Sequence, residues 1–252
     1  MKLSGKVAIV TGGGTGLGRA ISLRFAREGA AVAVNYFQSK QQALEVAEEI
    51  KGLGGQAAAI QADVSRDSEA RRLIQEAVSR FGRLDMLVNS AGWTKRIPHH
   101  DLEKLSEEIL EKTWAVNVKA PIYCIRAAVP HLRKNSGGSI INITSNAAFL
   151  ADGSSVIYCA SKAALTSITK SLARALAPEI RVNAISPGFV DTGFAQLPQE
   201  IRKQLKAQFP LCRPIETEDI ADAAVFLAAD ANATIGQTLL VDGGLTAVGP
   251  RR

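Results

Sequence analysis

The stretch Thr11-Gly12-Gly13-Gly14-Thr15-Gly16-Leu17-Gly18 separates two segments of different character. Before it, residues 6–11 (KVAIVT) form a short apolar run that predicts a buried strand, and after it residues 17–28 predict a helix that ends at Gly29. Glycines in such a turn let backbone amides approach a pyrophosphate, and the helix N-terminus favours its negative charge. The context therefore favours a dinucleotide site over a turn that is glycine-rich for steric reasons alone.

The spacing of the turn narrows the kind of nucleotide. Its pattern, Gly12-x3-Gly16-x-Gly18, differs from the commoner GxGxxG and lacks the Gly-Lys-Ser/Thr ending of a P-loop. Nucleotide triphosphate hydrolysis is therefore not expected. Gly14, Thr15 and Leu17 lie between these glycines and belong to the same predicted cofactor site.

Beyond the turn, short apolar runs alternate with longer amphipathic stretches. Further strands are predicted at residues 31–36, 57–61, 84–89, 139–144, 181–185 and 238–241, and further helices at 39–51, 67–81, 101–115, 116–132, 156–177, 196–209 and 217–228. Continuous apolar strands joined by helices indicate a parallel sheet covered on both faces, which is the doubly wound α/β arrangement of the Rossmann fold. Because no linker or composition shift divides the chain, one domain is expected over residues 1–252.

The composition argues against a disordered, nucleic-acid-binding or membrane-spanning protein. The 252 residues are 46% hydrophobic and 21% charged, which suits a globular core and argues against disorder. A net charge of +6 without a dense basic tract gives no support to nucleic-acid binding. Three cysteines without a CxxC indicate a reducing compartment, and no apolar run reaches the ~18 residues of a membrane span. We expect a cytoplasmic protein without membrane segments, and no metal site, since His99 and His100 have no partner spacing typical of zinc.

The end of the second predicted strand bears on the choice of cofactor. An Asp or Glu there would bind the ribose hydroxyls of NAD, whereas this chain has Asn35 and Tyr36. Ser39 and Lys40 follow and could donate to a 2′-phosphate, so NADP is favoured. NAD stays open, because Lys40 also fits a solvated helix start and Thr15 stands where a basic residue would have strengthened the case.

After the third strand, Asp63-Val64 lies where a carboxylate could accept from the adenine amino group. As an isolated feature, the same carboxylate could equally cap the turn that follows.

Tyr158 and Lys162 are four residues apart in a predicted helix and so share one face. A cation near a phenol lowers its pKa, and a tyrosine brought toward neutral pH can act as general acid or base. The spacing alone is common. Ser145, 13 positions before Tyr158, follows the fifth strand at the edge where parallel sheets bind ligands, and its hydroxyl could hold a substrate oxygen.

In order and spacing, these elements resemble those of the short-chain dehydrogenase/reductase family from end to end, and within it most resemble 3-oxoacyl-[acyl-carrier-protein] reductases. The resemblance is carried by the glycine-rich turn, Asp63, Asn89-Ser90-Ala91-Gly92, Asn117, Ser145, Tyr158-x3-Lys162, Pro187-Gly188 and Thr192. Ser90 departs from the pattern, since the family often has a second Asn there.

The resemblance implies a role for each matching position. Tyr158 would donate the proton in reduction, Lys162 would lower its pKa and bind the nicotinamide ribose, and Ser145 would hold the carbonyl. Asn117 would anchor a water linking Lys162 to solvent. The remaining cofactor contacts would come from Asn89, Ala91, Gly92, Pro187, Gly188, Val190 and Thr192. Residues 193–209, including Phe194, Leu197 and Phe209, would form a substrate lid, and the protein would be a homotetramer.

The function predicted is hydride transfer between NADP(H) and a carbonyl or secondary alcohol, on a small-molecule or acyl-carrier-linked substrate. Residue chemistry does not choose among an acyl-carrier substrate, a sugar, a polyol or a steroid, and an NAD-dependent dehydrogenase of the same family is the alternative. A dinucleotide-sensing protein without turnover is a more distant alternative, disfavoured because Ser145, Tyr158 and Lys162 are all present.

Overall fold

The computed structural model describes residues 1–135, 137–195 and 198–251. Within them one sheet has seven strands: β1 (Val7–Val10), β2 (Ala31–Tyr36), β3 (Ala57–Gln61), β4 (Met86–Asn89), β5 (Gly138–Ile143), β6 (Ile180–Pro187) and β7 (Thr238–Val241). Every pairing is parallel, in the order β3-β2-β1-β4-β5-β6-β7. The order reverses between β1 and β4, which opens a crevice at the carboxyl ends of these strands. The predicted doubly wound sheet is confirmed.

Helices connect the strands in the described part of the chain. They are α1 (Gly16–Arg27), α2 (Lys40–Gly52), α3 (Asp67–Phe81), α4 (Glu107–Trp114), α5 (Ala120–Leu132), α6 (Ala147–Leu150), α7 (Val156–Leu176), α8 (Gln199–Ala207), α9 (Thr217–Val225) and α10 (Leu245–Val248). A 3-10 turn spans Leu102–Lys104, and π-helical turns span Ala115–Lys119 and Phe226–Asp230.

Two hydrophobic layers hold the helices against the sheet. On β1, Ala8 and Val10 pack on one face with α1, α2 and α9, whereas Ile9 packs on the other face with α3, α5 and α7. Since alternate side chains of a strand point to opposite faces, a continuous apolar run is what a sheet covered on both sides requires. The sheet is thereby fixed as a rigid platform for the residues at its carboxyl edge.

Some predicted boundaries were wrong. Ser39 precedes α2, yet its side chain makes no capping hydrogen bond. The helix predicted at 217–228 gives way to a π-helical turn after Val225, and the short helices α6 and α10 were not predicted. Of the helix predicted at 196–209, Gln196 and Leu197 lie outside the described residues, and α8 spans only Gln199–Ala207, with Pro198 in a non-helical conformation before it. None of the described helices is long and apolar enough to cross a membrane.

Candidate active site

A cavity of about 1020 Å³ lies along the carboxyl edge of the sheet. It runs from the loop after β2, at Ser39, past the glycine-rich turn to Ser145 and Tyr158, and its outer wall includes Phe194. Pockets for drug-sized ligands typically occupy ~300–1,000 Å³, so this cavity has room for a dinucleotide together with a substrate.

Glycines shape the cavity beside β1. Gly12 and Gly16 both line it and have positive φ angles of 62° and 49°, a region that side chains rarely adopt. At Gly18, a Cβ would lie 2.2 Å from the carbonyl oxygen of Gly12, a distance that no real Cβ tolerates. The turn therefore closes only with glycine at these positions.

The start of α1 fits a pyrophosphate. Thr15, Gly16, Leu17 and Gly18 all line the cavity at this helix start. The first amides of a helix have no partner within it, and the helix dipole adds positive potential there. Gly14 does not line the cavity, because it packs against α2, where a Cβ would lie 2.9 Å from Ala43 Cα.

Asn35 is a buried connector. Its Oδ1 accepts from the Gly12 amide at 3.3 Å, and its Nδ2 reaches the carbonyl oxygens of Tyr36, Ile60 and Ala62 at 3.2–3.3 Å. The side chain thus ties the glycine-rich turn to the ends of β2 and β3, although it also borders the cavity.

The loop after β2, rather than its last residue, faces the cavity. Tyr36 lies in the hydrophobic core at 6% exposure and is absent from the cavity lining, as is Lys40. Phe37 and Gln38 line the cavity together with Ser39. Strand alternation explains this placement, since successive side chains of a strand point to opposite faces.

Asp63 plays a local structural part while bordering the cavity with Val64. Its carboxylate accepts from the Ser65 amide at 3.1 Å and from the Ser65 hydroxyl at 2.6 Å, and Arg66 lies 3.5 Å away. The capping role that the sequence left open is therefore present, on the same carboxylate that faces the cavity.

Tyr158 lies in the first turn of α7. Ser155 caps this helix by accepting from the Tyr158 amide at 3.3 Å, which fixes where the tyrosine leaves the helix. The Ser145 hydroxyl lies close enough to the phenol to lower its pKa, and the Tyr158 ring lies 6.4 Å from the ring of Phe194. Ser145, Tyr158 and Lys162 all line the same cavity.

Lys162 is buried one turn further along α7. Its Nζ donates to the carbonyl oxygen of Ile143 at 2.9 Å and lies 5.8 Å from the centroid of the Tyr158 ring. A buried ammonium beside a single carbonyl is poorly compensated, and burial lowers the pKa of Lys162 to about 8.

The pKa of Tyr158 differs from the sequence expectation. Burial is the main cause that raises it, the Ser145 hydroxyl lowers it and the nearby Cys159 raises it, and together they bring the pKa of Tyr158 to about 12. We expected Lys162 to bring the pKa down, but desolvation of the phenolate dominates in this arrangement. Tyr158 is therefore a protonated phenol at neutral pH.

Asn117 lies in the π-helical turn between α4 and α5 and is fully buried. Its side chain accepts from the Trp93 amide at 2.8 Å and donates to the Trp93 carbonyl at 2.9 Å and to the Ser161 hydroxyl at 3.0 Å. Ser161 in turn donates to the Tyr158 carbonyl at 2.7 Å. Asn117 does not line the cavity; it joins the loop after β4 to the helix that carries Tyr158 and Lys162.

Asn89 lies behind the site rather than in it. Its Nδ2 donates to Asn142 at 2.8 Å, and Asn142 donates to Thr169 on α7 at 2.9 Å, a buried polar chain linking β4, β5 and α7. Ala91 and Gly92, two and three residues on, do line the cavity.

The far wall is built by the last residue of β6 and the segment that follows it. Pro187, Val190 and Thr192 line the cavity, and Thr192 packs so closely on Gly16 that a Cβ there would lie 3.3 Å from Thr192 Cβ. Gly188 lies outside the lining: its amide donates to the Val241 carbonyl oxygen at 3.0 Å, and a Cβ at Gly188 would lie 2.9 Å from Asp242 Cα.

Sequence reasoning did not identify several residues that face this cavity. Phe37, Gln38, Arg96 and Lys112 line it, and they follow no spacing pattern that would have indicated this. Only Arg96 had a signal in the sequence that could have indicated its place in the lining, because it is a cation in the loop that follows Gly92.

Known proteins are similar to this chain over nearly its whole length. The family model described as "Enoyl-(Acyl carrier protein) reductase" matches residues 12–246. The 3-oxoacyl-[acyl-carrier-protein] reductase FabG of Staphylococcus aureus (strain Mu50) is 41% identical over 248 residues, which are 97% of this chain and 99% of that protein. The chain belongs to the short-chain dehydrogenase/reductase family. As a member, it is an NAD(P)-dependent oxidoreductase acting on carbonyl or alcohol groups.

Solved structures match over nearly the whole chain, among them a short-chain dehydrogenase. One from Burkholderia cenocepacia J2315 in complex with NADP is 35% identical with a TM-score of 0.91, covering 98% of this chain and 100% of that one. A blue fluorescent protein from a metagenomic library, in complex with NADPH, is 38% identical with a TM-score of 0.91 and the same coverage.

Proposed function

We propose that this protein reduces a ketone to a secondary alcohol with NADPH, with Tyr158 as the proton donor. The observation that carries the proposal is the meeting of Ser145, Tyr158 and Lys162 in one cavity with the glycine-rich start of α1. A hydroxyl pair for the substrate oxygen and a cradle for a pyrophosphate lie in one continuous space, as a two-substrate hydride transfer requires.

The residues fit a nicotinamide dinucleotide. The glycine-rich turn would hold its pyrophosphate, Asp63 and Val64 would border the adenine, and Pro187, Val190 and Thr192 would contact the nicotinamide end. When bound, NADPH supplies a hydride to the carbonyl carbon. We propose NADP over NAD because the described lining residues after β2, Phe37 to Ser39, carry no carboxylate that would repel a 2′-phosphate. The two neighbours in complex with NADPH and NADP support this preference.

The chain's own groups would move the proton. Ser145 and Tyr158 would both donate to the carbonyl oxygen, and the phenol proton of Tyr158 would pass to that oxygen as its negative charge develops. Lys162, charged below pH about 8, would stabilise the phenolate left behind. Asn117 would keep α7 in place relative to the loop after β4 and, as the family resemblance implies, anchor a water leading from Lys162 to solvent.

The substrate is proposed to be a 3-oxoacyl group carried on an acyl carrier protein. Support comes from the Staphylococcus aureus relative, whose name states that activity. The cavity end beyond Tyr158 is bounded by Phe194, Ile201 and Leu205, an apolar wall suited to an acyl chain. Leu197, which the sequence also placed in this lid, lies outside the described residues.

The experiment is a turnover screen at neutral pH with NADPH and NADH. The panel includes 3-oxoacyl thioesters, sugars, polyols, a steroid ketone and an enoyl thioester. NADPH-dependent reduction of a 3-oxoacyl thioester with the highest kcat/KM in the panel is expected. Preference for the enoyl thioester, or for a sugar or steroid, would refute the substrate assignment. Dinucleotide binding without turnover of any compound would favour the sensing alternative.

A homotetramer and a cytoplasmic location are further parts of the proposal. Leu110 and Trp114 on α4, Ile122 on α5 and Val156 on α7 are exposed apolar side chains on helices that the family resemblance places at an interface. Light scattering with size exclusion should give four chains per particle, and a monomer would refute the assembly.

A further inference from the structure

Two cationic side chains, Arg96 and Lys112, line the same cavity as Ser145, Tyr158 and Lys162. Arg96 belongs to the loop after β4, and Lys112 belongs to α4. Both are exposed to solvent. Neither is needed for the hydride transfer or the proton transfer proposed above, so their presence in the lining calls for another explanation.

The loop that carries Arg96 is fastened to the start of the catalytic helix. On one side of Arg96 the Thr94 hydroxyl bonds the Ser154 hydroxyl, and on the other the Ile97 amide donates to the Ser154 carbonyl at 2.7 Å. Ile97 is buried, which anchors the loop further. Because Ser154 precedes Tyr158 by only four residues, the backbone of Arg96 is held in a fixed relation to the phenol.

Lys112 is tied to the same loop through Trp93. Its Nζ lies 4.8 Å from the centroid of the indole ring, a cation–π contact. Trp93 is itself held by two hydrogen bonds between its main chain and the Asn117 side chain, at 2.8 and 2.9 Å. Lys112 is therefore held against Trp93, which belongs to the same loop as Arg96.

Both charges are available to a ligand. Two other lysines of this region are in ion pairs, Lys104 with Asp101 and Lys119 with Glu111. Over residues 1–135, 137–195 and 198–251, neither Arg96 nor Lys112 has a carboxylate within the 4.0 Å of an ion pair, and this includes Asp152, a carboxylate that also lines the cavity. A pair of cations in a cavity that no carboxylate holds in an ion pair attracts an anion.

We propose that Arg96 and Lys112 form an anion subsite that binds a carboxylate or phosphate of the substrate, at a distance from the carbonyl held by Ser145 and Tyr158. The inference rests on the proposed function, since it assigns the substrate class of that same site. A carbonyl compound carrying an anionic group would then be bound at two points, and its carbonyl would be oriented toward Tyr158.

The test compares charged and neutral forms of one carbonyl compound by calorimetry on the enzyme saturated with NADP⁺. The carboxylate arm uses 4-oxopentanoate and its methyl ester. The phosphate arm uses acetoacetyl-phosphopantetheine and acetoacetyl-pantetheine, which differs from it only in lacking the phosphate. In at least one arm the charged compound should bind at least about tenfold more tightly than the neutral one, and the arm that does so identifies the anion.

The variants Arg96→Gln and Lys112→Gln, alone and combined, should reduce the ratio of the affinity for the charged compound to that for the neutral compound toward one. Lys95→Gln is the matched control, because Lys95 is an exposed cation next to Arg96 that does not line the cavity, and it should keep the ratio. Equal binding of charged and neutral compounds in both arms, or a ratio that survives in the double variant, would overturn the subsite. Since binding is measured without turnover, this outcome is separate from the turnover screen that tests the proposed function.

Discussion

The Nζ atom of Lys162 lies 5.8 Å from the centroid of the Tyr158 ring, yet its hydrogen bond goes to the carbonyl oxygen of Ile143. The two side chains share one face of α7, and burial moves their pKa values apart, Tyr158 to about 12 and Lys162 to about 8. Between these values the site holds a protonated phenol beside a lysine that is losing its charge.

This pair predicts opposite pH dependence for the two directions of the reaction. The phenol stays a proton donor up to about pH 12, but the ammonium that stabilises the developing phenolate is lost as pH rises through about 8. The kcat/KM for ketone reduction should therefore fall above pH 8, whereas alcohol oxidation, which needs a phenolate, should rise with pH. Initial rates between pH 6 and 10 would show this, and a reduction rate that is flat to pH 10 would contradict it.

Burial of Lys162 also predicts a stability effect. Its pKa is lowered from 10.5 to about 8, so the charged form penalises the folded state fully below pH 8, and the penalty disappears as pH rises toward 10.5. Lys162→Met should raise the free energy of unfolding at pH 7 by about 1–3 kcal/mol. Urea denaturation measures this, with exposed Lys170→Met on the same helix as control.

The difference in the free energy of unfolding between Lys162→Met and the wild type should shrink between pH 8 and 10, because the wild-type lysine becomes neutral over that interval. A variant less stable than the wild type at pH 7 would show that the hydrogen bond to Ile143 outweighs the cost of the buried charge.

Cofactor preference should respond to Phe37 rather than to Tyr36. Phe37→Asp places a carboxylate in the cavity lining directly after β2, where it would repel a 2′-phosphate and accept from ribose hydroxyls. The ratio of kcat/KM for NADPH over NADH should fall by at least about tenfold, equivalent to ~1.4 kcal/mol. Tyr36→Phe, in the core, should leave the ratio unchanged. An unaltered ratio in Phe37→Asp would place the 2′-position of the ribose elsewhere.

The glycine-rich turn should not tolerate a methyl group at Gly18. With a Cβ 2.2 Å from the Gly12 carbonyl, Gly18→Ala must displace the turn and misplace the amides at the start of α1. Dinucleotide affinity should fall by at least about tenfold in a titration of NADPH fluorescence. Gly52→Ala is the control, since a Cβ at Gly52 meets nothing within 4 Å. Wild-type affinity in Gly18→Ala would exclude the turn as the pyrophosphate site.

Hydrophobic periodicity and turn residues in the sequence predicted most strands and helices of this fold. The bounds of β2, β3, α3 and β7 were predicted to the residue, because apolar runs of strand length and a clear helical period leave few alternatives. The π-helical turn at Asn117 was beyond such reasoning, since nothing local distinguishes it from the helices on either side.

The residues of the site could be predicted from the sequence, whereas the pKa of Tyr158 could not. Ser145, Tyr158 and Lys162 were predicted to lie together, and the structure places them in one cavity. The direction of the Tyr158 pKa was predicted wrongly, because desolvation depends on the packing of distant segments rather than on the neighbour one turn away. Arg96 and Lys112 reach one cavity only through tertiary contacts, of Lys112 with Trp93 and of Thr94 with Ser154, which no spacing reveals.

Turnover of Tyr158→Phe with NADPH and the best ketone of the panel tests the central claim most directly. The variant loses one hydroxyl and keeps the ring, so NADPH affinity should stay at the wild-type value, while kcat should fall by at least ~10²-fold, the contribution expected of a general acid. Tyr123→Phe, outside the cavity, should retain full activity. A Tyr158→Phe enzyme with more than half of the wild-type kcat would contradict the assignment of Tyr158 as the proton donor.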